Sequence, residues 1–85
     1  MHAKLVRHRS EGNLVLAVIR VVEGQVQIEF DESMPARNRE QWREDIAAVQ
    51  RLAPERGIVG DRAFLKWLPI CFMGSLQWFE FVAKD

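Results

Sequence analysis

An α+β fold is predicted by three features of this sequence. Residues 25–30 alternate strictly, with Val26, Ile28 and Phe30 apolar and Gln25, Gln27 and Glu29 polar, the pattern of a half-buried strand. After Pro35 the apolar period lengthens to that of a helix, and near the C-terminus an aromatic strand pattern returns. The resulting order β-β-β-α-α-β points to one domain over residues 1–85: a four-stranded antiparallel sheet with two helices packed on one face.

Each element has its own signals. Ala3 to Arg9 fits a first strand, closed by a turn at "SEGN" (Ser10–Asn13). Leu14 to Val22 forms the second strand, and Glu23-Gly24 offers a two-residue hairpin turn in which glycine tolerates positive φ. "DESMP" ends the sheet run. Ser33 suits a helix N-cap and Pro35 the first helical turn, where its missing N–H costs little. Trp42, Ile46, Val49 and Ala53 then share one helix face at i, i+4, i+7 and i+11. Pro54 and Gly57 stop that helix near Leu52. A second helix begins after Gly60, with Asp61 as the expected N-cap and Phe64, Leu65 and Leu68 as its apolar face; Pro69 is expected to end it. Leu76 to Ala83 makes the fourth strand.

Composition narrows the function classes. Twelve basic and twelve acidic residues cancel, so no overall field steers the chain toward nucleic acid or an anionic membrane. The longest apolar run, Leu14–Ile19, is much shorter than the roughly twenty residues of a membrane span. The N-terminus carries no secretory pattern, and a cytoplasmic protein is expected. Charge is uneven along the chain: Lys4, Arg7 and Arg9 precede a segment dominated by Glu11, Glu23, Glu29, Asp31 and Glu32. Opposite charges on neighbouring strands favour their pairing.

Catalytic chemistry finds few candidates. Hydroxyl nucleophiles are confined to Ser10, Ser33 and Ser75, each placed for a turn or cap, and the imidazoles to His2 and His8 near the N-terminus. A triad needs nucleophile, base and orienting group within hydrogen-bond reach. Cys71 sits among apolar neighbours in "PICFMGS", suiting a small buried hydrophobe better than a reactive thiol. No Cys/His spacing fits zinc, and Glu29, Asp31 and Glu32 lack the pattern of a calcium loop. "GIVGDR" lacks the Lys-Ser/Thr of a phosphate-binding loop. A non-enzymatic protein without a cofactor or metal is expected.

The second strand carries the functional expectation. If the Glu23-Gly24 turn sets an unbroken register, Val15, Ala17, Ile19 and Val21 face the helices with Val26, Ile28 and Phe30. Leu14, Leu16, Val18, Arg20 and Val22 then face outward, and Leu76, Trp78 and Val82 of the last strand extend that outer face. Two helices on one side leave it uncovered. The expectation is a protein-binding module, self-associating as a homodimer through Leu14, Leu16, Val18 and Trp78, with Trp67 at the margin of the second helix as a further anchor. The competing reading has Arg7, Arg9 and Arg20 lying across those outer side chains. A different class, a small nucleic-acid-associated factor, rests on Arg39 and Arg43 at i, i+4 on the first helix, but Glu40, Glu44 and Asp45 are interleaved with them and leave little net charge. The register of the first strand stays open between Leu5 and Val6 as its helix-facing residue.

Overall fold

The computed structural model describes residues 1–84. They form strands β1 (His2–Arg7), β2 (Leu14–Val22) and β3 (Gln25–Phe30), helix α1 (Ala36–Leu52), a 3-10 turn (Ala53–Arg56), helix α2 (Asp61–Cys71) and strand β4 (Gln77–Val82). The sheet is antiparallel in the order β3-β2-β1-β4, so the last strand inserts beside the first, and β3 and β4 are the edges. The α+β class and element order are those the sequence predicts.

The β2–β3 hairpin keeps the predicted register, with Val22 opposite Gln25 and Ala17 opposite Phe30. Glu23 at φ 51° and Gly24 at φ 78° make its turn, the double positive-φ geometry whose twist matches that of the strands. Between β1 and β2 the register breaks. Leu5 faces Ala17 but Val6 faces Val15, leaving Leu16 as the extra residue of a β-bulge. Beyond the bulge the faces exchange. Leu16, only 5% exposed, joins the buried core, Leu14 packs against that core, and Val15 is 37% exposed. The expectation that Leu14 and Leu16 lie on the outer face is therefore corrected. Unbroken alternation gives the wrong phase here because the chain inserts one residue.

Ala3 and Leu5 are the helix-side residues of β1, and Phe79 and Phe81 those of β4. With Ala17 and Ile19 they meet Ile46 of α1 and Phe64, Leu65 and Leu68 of α2; Leu5, Ile19, Ile46, Leu65 and Leu68 are the largest fully buried side chains. Both helices thus use their predicted apolar stripes. Trp42 closes one end of the core, its ring edge-on to Phe72 at 5.5 Å and to Phe79 at 5.6 Å, a geometry that aromatic quadrupoles favour.

The helix ends differ from expectation in instructive ways. Pro35 itself is the N-cap of α1, and no side chain caps that end. Ser33 is used earlier: its N–H and hydroxyl both donate to the Asp31 carboxylate, a local turn that competes with capping. Those bonds, helped by Arg39, hold the Asp31 carboxyl below its ordinary range. Gly60, at φ 93°, caps α2, and Asp61 is its first helical residue. Pro69 does not end α2, which continues to Cys71. Proline lacks the N–H bond to the preceding turn and crowds its carbonyl, yet the chain keeps its helical course, and Phe72 N–H bonds to Leu68 C=O at 3.1 Å to complete the helix.

Candidate protein-binding surface

The outer face of the sheet is lined by Val6, Val15, Val18 and Trp78 across β1, β2 and β4. Val6, opposite both Val15 and Trp78, is buried. Trp78 and Val18 are half-buried, and the Trp78 indole donates to Glu80 Oε1 at 3.0 Å. Charges cross this face: Lys4 lies 3.6 Å from Glu80 and Arg20 3.8 Å from Glu29. Exposed pairs like these contribute little stability, but they satisfy and hydrate the surface around the valines. Without Leu14 and Leu16 the face is smaller and more polar than predicted. Trp67 is half-buried against the core, at the helix margin where its spacing puts it.

Arg39 and Arg43 are both engaged within the chain. Arg39 Nε donates to Met34 O at 2.7 Å, and its Nη2 reaches Glu32 O at 3.2 Å and Asp31 O at 3.4 Å. The guanidinium thus ties the β3–α1 connection to the first turn of the helix. Arg43 lies over the Phe30 ring, 5.1 Å from its centroid, with Glu40 Oε2 3.4 Å away. Replacing Arg39 with Met should cost about 1–2 kcal/mol in urea denaturation, because charge-assisted bonds to carbonyls are lost. An unchanged midpoint would show that these contacts do not stabilise the folded chain.

The two sheet edges are unlike. Asp31 N–H donates to Leu16 O at 2.8 Å, in step with the β2–β3 register. Main-chain groups alternate along an antiparallel ladder, so Gln25, Gln27 and Glu29 turn theirs to β2, and Val26, Ile28 and Phe30 turn theirs to the open side. By the same rule His8 N–H on Leu76 O, at 2.8 Å, leaves Gln77, Phe79 and Phe81 outward on β4. Beside β4 the helix packs close: Arg62 and Lys66 of α2 stand over Phe81 at 5.2 and 6.0 Å. The β3 edge instead adjoins a groove of about 420 Å³, walled by Val26 and Ile28 on one side and by Arg43, Ile46, Ala47 and Gln50 on the other. Gln50 Nε2 closes one end by donating to Gly24 O at 2.8 Å. Val26, Ile28 and Phe30 are only half-buried, because α1 stands off from β3, leaving the groove between them.

Sequence reasoning passed over this groove. Arg43, Ile46, Ala47 and Gln50 recur at i, i+3, i+4 and i+7, which puts them on one helix face; the missing information was that β3 is an edge. It also passed over the apolar end of α2 and the loop that follows, where Ile70 is 65% and Met73 82% exposed, next to the exposed Leu76. Cys71 is half-buried rather than buried, and desolvation pushes its thiol up, against a weaker pull from Arg56. Among the described residues no cluster of His, Cys, Asp or Glu is suited to a metal ion, and no helix is long and apolar enough to cross a membrane. Comparison with family models, curated proteins and solved structures gives no match.

Proposed function

We propose that this chain is a non-enzymatic protein-binding module that receives an extended segment along β3, between the open strand edge and α1. One observation carries this reading: the outward main-chain groups of Val26, Ile28 and Phe30 run along the edge of a groove in which Val26, Ile28, Ile46 and Ala47 form an apolar strip between the polar side chains of Arg43 and Gln50. Strand addition uses that combination. Main-chain bonds supply affinity, and pockets for alternate side chains supply selectivity. The expected ligand is an extended peptide with apolar residues at every second position facing Ile46 and Ala47.

A displayed library of random peptides tests this. Selected sequences should share apolar residues at i and i+2, and Ala47→Phe, which fills the groove from a helix surface, should weaken their binding at least about tenfold, a loss near 1.4 kcal/mol. Selection of no such motif, or binding indifferent to Ala47→Phe, would overturn the reading. The outer face is the contrasting surface: Val18→Lys should leave peptide binding unchanged.

A further inference from the structure

We infer that the extended segment is β3 of a second copy of this chain, paired antiparallel about a twofold axis centred on Ile28. The inference rests on the strand-addition reading and names its occupant. β3 carries the pattern the groove asks for, since Val26, Ile28 and Phe30 alternate toward the helix side with polar residues toward the other. Its outward main-chain groups belong to those same three residues, so two copies present matching donors and acceptors. Centred on Ile28, the register sets Ile28 against its own counterpart and Val26 against the partner's Phe30, each pair exchanging its main-chain hydrogen bonds.

Charge supports that register. Glu29 falls opposite the partner's Gln27, and Gln25 opposite the partner's Asp31, so no like charges meet directly, an arrangement that would be unfavourable. A register centred on Glu29 would set the two glutamates face to face. The two Arg43 guanidinium groups, each held over its own Phe30, flank positions about 13 Å apart along the strands, beyond the roughly 8 Å Debye length at physiological salt. The β4 edge differs in its neighbour: α2 packs against β4, with Arg62 and Lys66 over Phe81, so a second strand would meet no open groove between strand and helix there. Val26, Ile28 and Phe30 of both copies would then lie between two α1 helices, closing the groove on each. Two short strands with their flanking helices make a small interface, which fits micromolar association.

Cross-linking tests both the contact and its register. Gln27 and Glu29 are exposed and point away from the helices, so cysteines there leave the core untouched. In this register they stand opposite each other in a non-hydrogen-bonded pair, with Cα atoms about 4.5 Å apart, within the range a disulfide spans. In a Cys71→Ala background, full-length chains carrying Gln27→Cys mixed with chains carrying Glu29→Cys should yield disulfide-linked dimers under mild oxidation, while each variant alone should not. Sedimentation of the unaltered chain should show its mean mass rising toward two chains across the micromolar range. Dimers formed by Gln27→Cys alone, or a monomer at every concentration with no linkage in the mixture, would overturn the inference. Peptide selection sensitive to Ala47→Phe, obtained beside a strictly monomeric chain, would overturn self-pairing alone and leave the binding module standing.

Discussion

Leu16→Lys should unfold the chain, whereas Val15→Lys should leave it folded. The two positions are adjacent in one strand, and alternation alone would give the opposite outcome. Leu16 is 5% exposed in the core and Val15 is 37% exposed on the outer face, because the bulge between them and β1 moves the strand by one residue. A lysine at position 16 would replace a packed side chain with an ammonium group among apolar neighbours, losing several kcal/mol of packing and desolvating a charge without a partner. Domains have only about 5–15 kcal/mol of net stability, and small ones less. Circular dichroism with urea titration checks the pair. A folded Leu16→Lys chain beside an unfolded Val15→Lys chain would mean that the strand has no bulge.

Phe79→Ala should lower stability by about 3–5 kcal/mol, the usual range for removing a buried phenylalanine. Phe79 is buried at the point where β4, α1 and α2 meet: Trp42 and Phe72 both touch its ring, at 5.6 and 5.5 Å. Truncation would leave a void beneath Trp42 and remove two aromatic contacts, each contributing about 0.5–1.5 kcal/mol beyond the area they bury. Near-ultraviolet dichroism would lose its tryptophan signal early in the denaturation curve. A cost below about 1 kcal/mol would show that the aromatic cluster does not anchor β4.

These two residues also show how far the sequence could be read. Phe79 and Phe81 share one face of an aromatic run in which charged Glu80 marks the opposite face, and the inward face follows from that alternation. The hairpin register follows from Glu23-Gly24, and the inner faces of both helices from their spacing. Leu16 does not follow, because Leu14 to Ile19 is apolar without interruption, and a pattern with no polar marker carries no phase. A one-residue insertion there is invisible. The groove was hidden for a different reason. Its two walls are each legible, but whether β3 lies at the edge depends on where β4 inserts, and that choice rests on contacts between residues far apart in the chain. Arg39 is similar: its charge is plain in the sequence, yet its use on three carbonyls depends on how the connection from β3 folds back.

The inequality of the two sheet margins bears on how large an assembly can become. A sheet open on both sides invites addition without end, the route to fibres. Here the β3 margin adjoins a groove, whereas the β4 margin has Arg62 and Lys66 of α2 packed over Phe81. In the proposed pairing both β3 margins would be consumed about a twofold axis, and only the β4 margins, with no groove beside them to receive a strand, would remain at either extremity. Growth then halts at a pair, as closed symmetry requires, without any further device to stop it.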